Sequence, residues 1–247
     1  MPVTVILESA LAGLATVLGA ALICFFGKPE PIPLSVMLGF AGGVMAAVTL
    51  FDLLPFAYAC GSVLYIAAGF AGGIVLMRLA GRIAGRPPSE ETRNEPDHPS
   101  HYLKMGRLIA IGIALHDLPE GISIAAGWSS QASLGLVTAL AIGLHNIPEG
   151  VATAAPLLMG GKKRSQILLY CLWISLFTPL GAAFGLSLSQ IGEAAMSVLL
   201  SLAAGAMTYL SLEELIPQAF RISRIWGFFG LVLGFAPTGW IIYVLTG

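Results

Sequence analysis

Long apolar runs, separated by short polar clusters, follow one another along the whole chain. Eight of them are long enough, as helices, to cross roughly 30 Å of hydrocarbon. They lie at about Val3–Phe26, Pro33–Tyr58, Ser62–Leu79, Met105–Trp128, Leu134–Met159, Gln166–Leu188, Ala194–Ala219 and Ile225–Leu245. The pattern predicts an all-α integral membrane protein, a single transmembrane domain over residues 1–247. One sizeable hydrophilic segment, Gly81–Lys104, contains Arg86-Pro87-Pro88-Ser89-Glu90-Glu91 and reads as a flexible loop.

Composition narrows the class. Hydrophobic residues make up 57% of the 247 and charged ones only 10%, against about 25% charged in soluble domains. A net charge of -1 leaves no basic footprint for nucleic acid. Cys24, Cys60 and Cys171 have no CxxC spacing and read as small buried hydrophobes. No basic segment precedes the first apolar run, so a cleaved leader is not expected.

Basic residues orient the chain. Lys28 lies between the first two stretches; Arg78, Arg82, Arg86, Arg93, Lys104 and Arg107 lie at or between the third and fourth. Lys162, Lys163 and Arg164 separate the fifth and sixth, and Arg221 and Arg224 the last two. All 12 therefore fall on one side, which the positive-inside bias makes cytoplasmic, with both termini outside. Short connections and the missing leader point to a bacterial-type inner membrane.

The chain also resembles itself. Asp52-Leu53-Leu54-Pro55 matches Glu214-Leu215-Ile216-Pro217 at a shift of 162 residues, and the same shift aligns Thr16–Ala20 with Thr178–Ala182. Stretches 1–3 thus relate to 6–8 as an inverted repeat, the architecture of many transporters. Stretches 4 and 5 repeat each other, with His116-Asp117-Leu118-Pro119-Glu120-Gly121 against His145-Asn146-Ile147-Pro148-Glu149-Gly150. Chance likeness between apolar helices would not carry the shared acidic-Leu-aliphatic-Pro block.

The candidate chemistry sits in these repeats. Asp52, His116, Asp117, Glu120, His145, Glu149 and Glu214 lie within predicted spans, with Glu213 beside the last, and none is accompanied by Lys or Arg there. A charge at bilayer depth costs about 2.5–3.5 kcal/mol on insertion scales, so protons or metal cations are the natural neutralisers. His116 and Glu120 are four apart and share a helix face; Asp117 stands on the adjoining flank. His145, Asn146 and Glu149 repeat that geometry. Imidazole with carboxylate suits zinc, iron, manganese, cobalt and cadmium, whereas calcium or magnesium would want oxygen alone. Pro119 and Pro148 remove a backbone donor beside each motif, and Pro55 and Pro217 do so beside Asp52 and Glu214. His98 and His101 are weak metal candidates within the hydrophilic segment.

These motifs resemble the ZIP family of divalent metal transporters. The family string His-Asn-x-Pro-Glu-Gly stands intact at His145–Gly150, while Asp117 takes the Asn place in the other copy. The resemblance implies a metal site between helices 4 and 5, made by His116, Asp117, Glu120, His145, Asn146 and Glu149, often holding two adjacent ions. It also implies a Glu in helix 6, where this chain has Thr178 before Pro179; one firm site beside a weaker one is therefore expected. Asp52, Glu213, Glu214 and Thr178 are expected along the ion path.

The expectation is transport of a divalent metal, zinc foremost, toward the cytoplasm, with the ion as substrate and no cofactor. Partners would be the ion, the bilayer and a second copy of the chain; Gly69, Gly72 and Gly73 could pack helices within or between protomers. Two rivals use the same residues. An intramembrane metal-dependent hydrolase would need a distinct general base, and no His-Glu-x-x-His string supplies one. A membrane metal sensor leaves the carboxylates outside the motifs without a role.

Overall fold

Apolar side chains around nearly the full circumference, not along one stripe, mark helices that meet lipid as well as protein. The computed structural model describes residues 2–83, 99–130, 132–187 and 192–246, and the long elements there are all helical. They are α1 (Pro2–Phe26), α2 (Pro31–Cys60), α3 (Val63–Ile83), α4 (Pro99–Ser130), α5 (Ala132–Met159), α6 (Arg164–Ser187), α7 (Glu193–Ile222) and α8 (Arg224–Thr246). Seven are long and apolar enough to cross a membrane; the other, α5, is 28 residues long and carries one of the repeated motifs.

Helix ends match the apolar runs closely except around the hydrophilic segment. There α3 continues to Ile83, and α4 begins at Pro99 instead of Met105. Pro is pre-set for the first helical position, where its missing N–H costs nothing, so the Pro99–Lys104 end of the expected loop is helix. His98 lies outside the described residues.

Two sets of four helices organise the packing. Helices α1, α4, α5 and α6 lie chiefly against one another; α2 packs on α8, and α3 on α7. Much of α3 and α8 remains exposed, including Leu64, Ile225, Trp240 and Tyr243. Gly69 and Gly73 face α7, whereas Gly72 has no atom within 4 Å of where a Cβ would stand.

Proline disturbs these helices unequally. Pro119 and Pro148 lie inside unbroken α-helix. Before Pro55 and Pro217 the helix widens into π turns, Thr49–Leu53 and Leu210–Leu215. The Leu54 N–H reaches Thr49 O, and the Ile216 N–H reaches Ser211 O, each five residues back. Such π turns are rare in helices and fall frequently at functional sites. Ahead of Pro179, α6 breaks at Leu176.

Candidate metal centre

Close backbone packing positions the motifs. A Cβ on Gly121 would overlap the carbonyl oxygen of Thr178 in α6, and one on Gly150 would overlap that of Thr16 in α1. The motif glycines therefore let α6 and α1 lie directly against the helices that carry the ligand candidates. Gly181 and Gly19 answer from the other side, against Leu118 and Ile147.

Within that frame the six motif residues are buried: His116, Asp117, Asn146 and Glu149 completely, Glu120 to 2% and His145 to 7% exposure. The histidines cross over. His116 Nε2 lies 3.2 Å from both Glu149 carboxylate oxygens, and His145 Nε2 lies 3.1 Å from Glu120 Oε1. Each imidazole thus meets the glutamate of the other helix, not the one on its own face. His116 Nδ1 is held 2.9 Å from Gly112 O. Gly112 O only accepts, so His116 Nδ1 donates, and the contact between Nε2 and the Glu149 carboxyl takes one proton, carried by either partner.

Asp117 joins the group: ligand atoms of His116, Asp117 and Glu120 lie within 4.8 Å of one another, with His116 Nε2 3.7 Å from Asp117 Oδ1. Neither Asp117 oxygen, nor Glu120 Oε2, nor Asn146 Oδ1, has a hydrogen-bond partner among the described residues. Buried polar atoms are rarely left so. Asn146 donates its amide to Ala12 O of α1, at 3.0 Å, while its Oδ1 has no partner among the described residues. A cluster of buried, unsatisfied oxygens beside two imidazoles is short of positive charge, and a cation would satisfy it.

The spacings also suit a metal. Two ligands on one tetrahedral zinc, each at ~2.0–2.2 Å, stand ~3.3 Å apart. The crossed His–Glu pairs, at 3.1–3.2 Å, need only a slight opening to admit the ion. Gly112 O would then keep His116 aimed, with Nε2 presented to the metal.

The remaining candidates divide. Asp52, in the π turn of α2, lies within electrostatic reach of His145 and Glu120. Glu214 is half-buried and lies instead near Lys104, Glu213 and Arg221; Glu213 is exposed. The expected absence of basic partners thus does not extend to Glu214. Thr178 is buried, and its hydroxyl has no partner among the described residues. His101 belongs to the first turn of α4, where its Nε2 is 3.2 Å from Gln218 Oε1, so it ties α4 to α7.

Two hydroxyls escaped the sequence reading. Helical Thr and Ser commonly bond back to a carbonyl one turn earlier, as Thr153 and Thr208 do here. Thr16 and Thr49 do not, and both are buried without a partner among the described residues. The alignment of Thr16 with Thr178 was the available signal.

A family model described as ZIP Zinc transporter matches residues 82–241, which include both motifs. The chain belongs to the ZIP family. The proteins similar to most of the chain include several named zinc transporter ZupT. The Streptococcus mutans protein is 35% identical over 235 residues, covering 87% of both chains. That of Akkermansia muciniphila is 34% identical over 247 residues, covering 90% of this chain and 88% of its own. The Neisseria meningitidis serogroup C protein is 34% identical over 231 residues, with 86% and 84% covered. These relatives are transporters by name, and membership of their family sets aside the hydrolase reading.

Proposed function

We propose that this chain carries divalent transition-metal ions, zinc foremost, across the membrane toward the cytoplasm through the His/Glu/Asp cluster between α4 and α5. The observation that carries the proposal is the pair of crossed His–Glu contacts beside unsatisfied carboxylate oxygens. Membership of the ZIP family and the zinc-transporter relatives support the same reading. Iron, manganese, cobalt and cadmium share the ligand preference. The direct test is zinc uptake by proteoliposomes containing the full chain: flux above empty vesicles is expected, and flux equal to theirs would contradict the proposal.

The architecture proposed is an inverted repeat relating α1–α3 to α6–α8, with both termini outside and an inner-membrane location. Matched close approaches support the repeat: Gly19 on Ile147 pairs with Gly181 on Leu118, and the two π turns stand 162 residues apart (Ser211 against Thr49). The one-sided distribution of Lys and Arg supports the orientation.

Asp52 and Glu214 are then stations on the outer and inner halves of the path, with the cluster between them. Asp52→Ala and Glu214→Ala should slow uptake several-fold while zinc affinity in detergent stays near wild type. Loss of affinity as deep as that of Glu120→Ala would remove them from the path and place them in the site.

Thr178 supplies no charge where the family commonly has Glu, so one ion is held firmly and any neighbour weakly. Zinc also competes with protons. With Nδ1 donating to Gly112 O, the hydrogen bond between His116 Nε2 and Glu149 holds one proton, and coordination at Nε2 must release it. Empty protein binds more protons than loaded protein; affinity therefore rises with pH, by about tenfold per unit for each proton released. Calorimetry in buffers of different ionisation enthalpy measures that release, and a buffer-independent enthalpy would contradict it.

A further inference from the structure

A cavity of about 250 Å³ opens between α1 and α5. Its walls are Leu11 and Ala12 on one side and Leu136, Leu140, Gly143 and Ile147 on the other. Leu11 and Leu140 are both 60% exposed, so in a membrane-spanning chain the cavity is a groove facing lipid. Its volume is below that of a typical pocket for a drug-sized ligand and suits part of one hydrocarbon chain.

One lining side chain is polar. Glu8 sits at one end of the groove, six residues into α1, and accepts the indole N–H of Trp128 at 2.6 Å. The indole contributes a hydrogen bond but no charge, and no cation pairs with Glu8 among the described residues. Trp128 lies two residues before the end of α4, and tryptophans at such positions mark the headgroup level. A carboxylate is thereby held at headgroup depth. Below it the groove follows α5 from Leu136 to Ile147, about 16 Å of helix. That is half of the roughly 30 Å hydrocarbon core, the depth of one leaflet.

We infer that this groove is a phospholipid site selective for an amine headgroup, in which one acyl chain lies between α1 and α5 and the headgroup ammonium pairs with Glu8. Charge complementarity chooses the headgroup: an ammonium neutralises Glu8, whereas phosphatidylglycerol would bring a second negative charge without a cation. The seat also adjoins the metal cluster, because Ala12 both lines the groove and holds the Asn146 amide. An occupied groove braces α1 against α5 at that link.

Native mass spectrometry of the detergent-purified chain tests this directly. The protein is exposed to equimolar phosphatidylethanolamine and phosphatidylglycerol with identical acyl chains. Wild type should retain the ethanolamine lipid roughly fivefold over the glycerol lipid, the scale of a partly exposed ion pair. Glu8→Gln keeps an acceptor for Trp128 but loses the charge, so the ratio should fall to near one. Gly143→Leu should lower retention of both lipids; a Cβ there meets Ala12 at an ordinary 3.5 Å, so the helices need not part. Equal retention by wild type, a preference that survives Glu8→Gln, or undiminished retention in Gly143→Leu would each overturn the inference.

Discussion

Glu149→Ala should weaken zinc binding to the purified protein by at least about 100-fold, the upper end of what removing a supporting partner costs at metal sites. Both Glu149 oxygens face His116 Nε2 at 3.2 Å, and both side chains are completely buried. The substitution removes a ligand candidate and also leaves His116 Nε2 without this partner away from water, which is costly in itself. Titration calorimetry in detergent measures the loss. Glu149→Gln keeps the shape and a hydrogen-bonding oxygen, so it separates lost charge from misfolding. An affinity for Glu149→Ala within about threefold of wild type, well below that supporting-partner range, would take Glu149 out of the site.

The second large effect is expected at a residue with no ligand atom at all. Gly150→Val places a Cβ on the Thr16 carbonyl oxygen, with Ala20 N only 3.0 Å away. Backbone on the far side cannot rotate clear as a side chain would, so α1 must shift from α5. Overpacking of this kind costs about 1–3 kcal/mol, sometimes more. Zinc affinity should fall with it, because Asn146 is anchored to Ala12 on the displaced helix. Gly72→Ala is the control, since nothing lies within 4 Å of its Cβ position. A thermal-unfolding comparison in which Gly150→Val melts with Gly72→Ala would contradict the close-packing account.

Both predictions start from the motif but depend on facts the motif does not contain. Hydropathy locates the eight helices because a span needs some twenty apolar residues, and few other structures leave that trace. It fails at α4, where Pro99-Ser100 looks like loop chemistry and instead begins a helix. Spacing along one helix places Glu120 on the face of His116, and that much is local geometry. The crossing of His116 to Glu149 and of His145 to Glu120 depends on how α4 and α5 are rotated against each other. No periodicity within either helix records that rotation.

Proline shows the same division. All four prolines beside carboxylates are visible in the sequence, yet π turns precede only Pro55 and Pro217. At Pro119 and Pro148 the helix continues, with Gly121 and Gly150 pressed against α6 and α1 on the next residues but one. We attribute the difference to that packing, which leaves little room for an inserted residue. The widened turns then fall where Asp52 and Glu213–Glu214 stand, outside the crossed cluster. Gly121→Ala should therefore disturb zinc affinity more than substitutions within the π turns.

The most direct test of the central claim compares initial zinc uptake by proteoliposomes carrying wild type or Glu120→Ala at equal protein density. Glu120 lies at the junction of the cluster, paired with His145 and grouped with His116 and Asp117. The account predicts saturable uptake by wild type and uptake indistinguishable from protein-free vesicles for Glu120→Ala, with the variant still folded by its elution profile. Equal flux through both proteins would mean that zinc crosses elsewhere, and the crossed His–Glu cluster would not be the transport site.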